Sequence, residues 1–412
     1  MKNNKGGKVL ASGGFGCVFS PQLKCKGKTL KKRGISKLMK KEYAVNEYDE
    51  IQKYNKRLDN IPNYTDYFLL YDIDICQPAN LTKADLSNFT KKCTALPKDD
   101  ITKANINESL DKMMILNMPN GGIPVNEFIK SNGSLSQLNR SLISLLTNGI
   151  VPMNKANIYH CDIKETNVLV DNQGDNIKTR LIDWGLSTEY IPYKNNKFPS
   201  TWRNRPLQFN VPFSVIIFSE TFVETYTNYI NGGGKPTEGA LRPFVTKYIY
   251  DWMDERGIGH FETINEIMYL LFNHDLDPQY DKQTKHDIIK SKYTMEYITN
   301  YIVNVLVNFT RFRDDGTLNL RYYLDKVFIK IVDIWGFIIT YLPILEILSS
   351  NYDELTPDQL KLFEELKFIY VNYLYKPTSK PINNKDLVSR LNNLDKYNVK
   401  MSNGTRKIMK RR

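Results

Sequence analysis

The stretch HCDIKETN, residues 160–167, runs into the apolar segment VLV and is followed, after a polar turn and a second apolar segment, by LIDWG at residues 181–185. Asn167 to Val170 and Ile177 to Ile182 flank the turn DNQGDN and read as a β-hairpin. A hairpin brings its outer ends together, so Asn167 and Asp183 are expected close in space, each offering oxygen, the hard ligand that magnesium prefers. Asp162, in the loop before the first strand, is placed to accept a hydroxyl proton. Lys164, two residues on, would face the same loop and steady phosphate charge. Singly, each residue is better explained as a turn or cap. Together, in this order and spacing, they suit phosphoryl transfer, which asks for positioned metal ions, an oriented nucleophile and neutralised charge more than for covalent chemistry.

His160, Asp162, Lys164 and Asn167, then an apolar hairpin, then Asp183 with Gly185, match the catalytic-loop and metal-binding signatures of kinases. The chain resembles the eukaryotic-type protein kinase superfamily, in a divergent branch like those of large DNA viruses, over roughly residues 8 to 220. The resemblance implies an α+β, two-lobed fold: a small β-rich N-lobe over residues 1–120, a larger mainly helical C-lobe over 121–375, and a polar basic tail over 376–412. It implies ATP and Mg2+ as cofactors. Asp162, Lys164 and His160 are then the catalytic-loop residues, with Asn167 and Asp183 the magnesium ligands. A lysine two residues after the catalytic aspartate marks enzymes acting on serine or threonine hydroxyls of proteins.

Upstream, the superfamily has a glycine-rich loop of the form GxGxxGxV, and residues 11–18 read ASGGFGCV. Gly13, Gly16 and Val18 match, Ala11 replaces the first glycine, and Gly14 and Phe15 form the tip. Backbone amides there would approach phosphates closely. Of the lysines in GISKLMKK, Lys37 lies between apolar neighbours in a short strand and is the expected partner of the α- and β-phosphates. Its own partner is expected on the next helix, where Glu47 is preferred over Glu42 and Glu50. KMMILNM followed by PNGG resembles the hinge that carries adenine, with Leu116 to Met118 as the contact.

Three departures stand out: Trp184 follows the metal-binding aspartate in place of phenylalanine, Cys161 occupies the arginine position of the catalytic loop, and RPLQFNVPFS (205–214) replaces the Ala-Pro-Glu triplet. Without that arginine, phosphate at Ser187, Thr188, Ser200 or Thr201 lacks its usual anchor. The segment is therefore expected to be held by packing of Trp184 and the PLQFNVPF stretch, with Arg203 and Arg205 as rival sources of charge. Small-molecule phosphotransferases share an HxDxxxxN loop and often IDW, but Lys164 argues against them. A pseudokinase scaffold would suit the departures, yet Lys37, Asn167 and Asp183 are all present.

With 41% hydrophobic and 12% aromatic residues, the chain can bury a sizeable core. Its net charge of +12 favours acidic partners, including an acidic protein substrate, and no nucleic-acid motif accompanies it. Cys17, Cys25, Cys76, Cys93 and Cys161 lack zinc spacings, and five scattered cysteines read as thiols of a reducing compartment, the cytoplasm, with no structural metal. Val327 to Leu348 is apolar but interrupted by Lys330, Asp333 and Pro343, so it reads as a buried helix rather than a membrane span. Residues 8–40 read as hairpins and Glu42 to Leu58 as a helix with an apolar stripe of Ala44, Val45, Tyr48 and Ile51. Tyr67 to Ile75 and Lys112 to Met118 read as strands. Helical patterns follow at 134–150, 213–230, 239–257, 293–311, 318–349 and 356–374.

Overall fold

The computed structural model describes residues 7–27, 34–173, 176–194, 198–230, 236–313, 316, 318–376 and 379–397. The basic end TRKIMKRR of the expected tail lies outside these. The chain divides into two compact units: residues 1–122 with 180–185, and residues 123–179 with 186–412.

The first unit is built on β1 (Lys8–Ser12), β2 (Gly16–Ser20), β3 (Gly34–Lys40), β4 (Asp74–Cys76) and β5 (Met113–Pro119), in the spatial order β1-β2-β3-β5-β4. Ala11, Val18, Lys37, Leu116 and Ile75 lie in one register row across all five strands. Side chains alternate along a strand, so this row marks one face and its neighbours Leu38 and Ile115 mark the other. The second face carries the core, closed over by residues 77–112, whose Leu81, Leu86, Phe89, Leu96 and Ile106 pack on Phe19, Leu38 and Ile115. Of the expected strand Tyr67 to Ile75, only its end joins the sheet; Phe68 makes a lone bridge to Leu181, flanked by Leu69 N–H to Leu181 O at 3.1 Å.

The cysteines correct the sequence reading. Cys17 is bonded to Cys93 and Cys25 to Cys76, leaving only Cys161 free. Separations of 76 and 51 residues leave no trace in local spacing. Both bridges join the sheet to the segments around it, and the Asn117 amide lies over the second, 3.3 Å from Cys25 Sγ. Among the described residues no His, Cys, Asp and Glu group of three or more suits a metal ion.

The helix Lys41–Leu58 follows β3 directly. Its buried residues are Ala44, Ile51, Tyr54 and Leu58, a single stripe at helical spacing, while Val45 is exposed against expectation because it lies about 100° round the axis from Ala44.

The second unit begins with β6 (Ile123–Pro124) and contains β7 (Ile158–Tyr159), β8 (Val168–Gln173), β9 (Asn176–Leu181) and β10 (Thr188–Glu189). β8 lies between β6 and β9, β7 pairs with β10, and the boundary between the units falls within β9. The expected helices appear at Leu135–Ser144, Glu220–Tyr229, Glu238–Arg256, Met295–Phe309 and Pro357–Ile369, joined by Phe261–Phe272 and Lys282–Ile289. The apolar run forms Ile329–Ile339 and Leu342–Ser350, broken ahead of Pro343. In Ile329–Ile339 every residue but Lys330 is buried, as expected of a helix apolar on all sides. No single described helix is long and apolar enough to cross a membrane; the bent pair from Arg321 to Ser350 passes by length and composition alone.

The stretch read as a solvated tail from residue 376 also needs correction. Asn383 caps a helix at Asn384–Leu394, whose Leu387, Leu391 and Leu394 are buried. The Asn139 amide donates to Leu391 O and to Asp395 Oδ1, both at 2.9 Å, so this helix is part of the second unit's fold.

Candidate active site

In the first unit the ASGGFGCV hairpin turns on a hydrogen bond from Gly13 N–H to Gly16 O of 2.8 Å. A Cβ on Gly16 would lie 2.6 Å from Leu38 O and 2.8 Å from Met39 Cβ, so only glycine lets β2 cross so closely over β3. Gly14 faces open space, and the exposed Phe15 ring rests 4.8 Å from that of Tyr43. Lys37 passes beneath this hairpin, since a Cβ on Gly13 would meet Lys37 Cε at 3.7 Å. Its ammonium donates to both oxygens of Glu47, at 2.7 and 2.6 Å, with side chains only 15% and 22% exposed. Lys40 instead pairs with Asp99 at 2.6 Å. Lys37 and Glu47 are therefore the pair formed among the lysines and glutamates weighed from sequence.

Asp183 and Trp184 belong to the same unit. Trp184 is buried, with its rings 5.5 Å from Tyr54 and 5.6 Å from Phe68, so it packs on the helix that carries Glu47. That packing leaves Asp183 exposed on a left-handed backbone, φ 67°. At the end of β5, Leu116 is buried in the register row of Lys37, Met118 is half-buried, and Asn117 points to the opposite face, where Ser36 donates to it at 2.5 Å.

In the second unit the loop before β8 gathers its polar groups on Asp162. Lys164 Nζ donates to Asp162 Oδ2 at 2.8 Å, and Asn167 Nδ2 donates to the same oxygen at 2.9 Å. Asn167 Nδ2 also reaches Asp162 O at 2.8 Å, so the amide hydrogens face Asp162 and the amide oxygen faces away. Asp162 Oδ1 accepts from Asn210 Nδ2 at 2.8 Å.

What holds this loop is a charge inside an apolar helix. Asp333 is buried, and its carboxylate accepts from His160 N–H at 2.9 Å, Cys161 N–H at 2.8 Å and Asn154 Nδ2 at 2.7 Å. Burial pushes its carboxyl up from the ordinary carboxylate range, and the neighbouring His160 and these donors oppose that. Two residues on, Trp335 Nε1 donates to Phe209 O at 2.9 Å. A Cβ on Gly336 would lie 2.5 Å from Ile163 O, so the helix backbone touches the loop directly. His160 is fully buried, and its backbone serves this anchor.

Residues 202–210 fasten the loop from the other side. Arg205, 6% exposed, donates from both Nη atoms to Cys161 O at 3.1 and 3.0 Å and from Nε to Gln208 at 2.6 Å. Trp202 Nε1 donates to Cys161 Sγ at 2.9 Å. Burial pushes the Cys161 thiol well up, so it remains protonated. Asp333, Arg205 and Asn210 were not singled out as site residues from sequence; the signal was there for Asp333, because a carboxylate in the middle of an apolar run must have partners.

A small β-rich unit with a lysine–glutamate pair under a glycine hairpin, and a mainly helical unit with an Asp–Lys–Asn loop, define the two-lobed kinase fold expected from sequence. Residues 5–203 match the family model of the protein kinase domain. The match ends just before Arg205.

Proposed function

We propose that this protein is an ATP- and magnesium-dependent protein kinase that transfers the γ-phosphate to serine or threonine hydroxyls. The observation that carries the proposal is the set of donors on Asp162: Lys164 and Asn167 hold one oxygen, leaving a lone pair on the other for an acceptor hydroxyl. Asp162 is the base that orients this hydroxyl and takes its proton. Lys164 lies one hydrogen bond away, placed to offset phosphate charge during transfer. Lys37, fixed by Glu47, holds the α- and β-phosphates beneath the hairpin of Gly13, Gly14 and Gly16.

Asn167 and Asp183 fit the role of magnesium ligands by their chemistry: an amide oxygen turned away from Asp162 and an exposed carboxylate are both hard donors. Bound magnesium supplies positive charge to the phosphate oxygens. Leu116 to Met118 carry the adenine, and the net charge of +12 favours an acidic protein acceptor. The two disulfides remove the ground on which the cysteines pointed to a reducing cytoplasm. The test is incubation of the purified chain with labelled ATP, magnesium and a panel of protein, amino-sugar and choline acceptors. Label on protein supports the reading; turnover only with small acceptors, or nucleotide binding without turnover, overturns it.

A further inference from the structure

One residue of the stretch RPLQFNVPFS (205–214) has a direct hold on the proposed base. Asn210 is fully buried. Its Nδ2 donates to Asp162 Oδ1 at 2.8 Å and to Ile163 O at 3.3 Å. Two acceptors on the nitrogen side fix the orientation of the amide, and they leave Asn210 Oδ1 buried with no hydrogen-bond partner among the described residues. A bare buried acceptor destabilises the fold. An amide serving only to fill space would carry that cost for nothing, since an apolar side chain avoids it. What the amide provides is its nitrogen, aimed at the carboxylate oxygen that Lys164 and Asn167 do not touch.

We propose that Asn210 is the positioning residue of the base, fixing the plane of the Asp162 carboxylate so that one lone pair of Oδ1 stays open toward the acceptor hydroxyl. The inference rests on the function proposed above. Each carboxylate oxygen offers about two lone pairs. Two donors fill Oδ2, and Asn210 fills half of Oδ1. With the amide absent, the carboxylate could rotate about its terminal torsion, which is soft. The amide's own placement is secured next door, where Phe209 O is held by Trp335 of the buried helix at 2.9 Å.

The test measures phosphate transfer to a protein acceptor against pH for the wild type, Asn210→Asp, Asn210→Ser and Asp162→Asn, with ATP affinity and thermal unfolding of each. Asn210→Asp keeps the shape but sets one carboxylate against another. Such a pair shares a proton and titrates above the ordinary range. Turnover is therefore expected to fall about a hundredfold at neutral pH and to recover on the acid side, where the shared proton restores a donor. Asn210→Ser, with one shorter donor, loses about tenfold, and both variants bind ATP within threefold of wild type. The proposal fails if Asn210→Asp stays within threefold of wild type at all pH values. It fails equally if the loss shows no pH dependence and tracks lost ATP affinity or thermal stability. Should Asn210→Asp not fold, full activity in Asn210→Ser overturns it. Absence of transfer by the wild type itself would instead remove the proposed function, which separates the two failures.

Discussion

Arg205→Ala asks whether the segment after Trp184 is held by the protein's own charge or awaits a phosphate. In the structure the Arg205 guanidinium lies buried with both Nη atoms on Cys161 O, one residue before the proposed base. Cysteine at position 161 has no charge and no fork, so the loop itself offers phosphate nothing; the arginine comes from the segment and grips the loop's backbone. A hydrogen bond from a charged donor is worth about 1.5 kcal/mol net at the low end. Two of them give about 3 kcal/mol, and at about 1.4 kcal/mol per factor of ten in rate this is about a hundredfold. Arg205→Ala is therefore expected to lower kcat/KM for a protein acceptor about a hundredfold, while Arg205→Lys, which keeps charge without the fork, loses about tenfold. In parallel, wild-type protein treated with phosphatase, with Ser187, Thr188, Ser200 and Thr201 shown bare by mass spectrometry, keeps its initial rate. The reasoning is refuted if Arg205→Ala stays within threefold of wild type, or if dephosphorylation alone costs a hundredfold.

Asp183→Ala removes an exposed carboxylate from a left-handed position that alanine adopts less readily, so it abolishes turnover with only a small drop in unfolding temperature; a variant with measurable turnover contradicts its proposed role as metal ligand. Gly16→Ala forces a Cβ to within 2.6 Å of Leu38 O, so ATP affinity measured at equilibrium should fall at least tenfold, and unchanged affinity would show the hairpin to be uninvolved. The two disulfides close loops of 76 and 51 residues, each worth about 4 kcal/mol by chain entropy. A dithiol reductant should therefore lower the unfolding temperature markedly, and an identical melt in both redox states contradicts the pairing.

The division into a β-rich part and a helical part was legible because each leaves its own period: short apolar runs between glycines before residue 122, and stripes at helical spacing after it. Lys37 could be chosen because apolar neighbours marked it as a strand residue, and the structure gives it, and not Lys40, the Glu47 carboxylate. The disulfides were illegible for the opposite reason, since partners 76 and 51 residues apart share no local pattern. The helix Asn384–Leu394 hid in polar composition; its three buried leucines suffice only because Leu135–Ser144 is there to receive them. Asp333 was visible as an anomaly, a charge in an apolar run, but which backbone it would serve depended on a partner 173 residues earlier in the chain. Asn210 gave no such warning, because it looks like an ordinary polar residue of a loop until the loop is folded onto Asp162, and Arg205 was visible only as a rival source of charge, with Arg203, and not as the residue that grips Cys161.

The most direct test of the account compares wild type with Asp162→Asn in the presence of labelled ATP, magnesium and an acidic protein acceptor, followed by phosphoamino-acid analysis. The wild type should place label on serine or threonine. Asp162→Asn, with ATP affinity nearly unchanged, should transfer at least a hundredfold more slowly, about 2.7 kcal/mol of barrier. Label found only on tyrosine, or near-normal transfer by Asp162→Asn, would contradict the assignment of this loop.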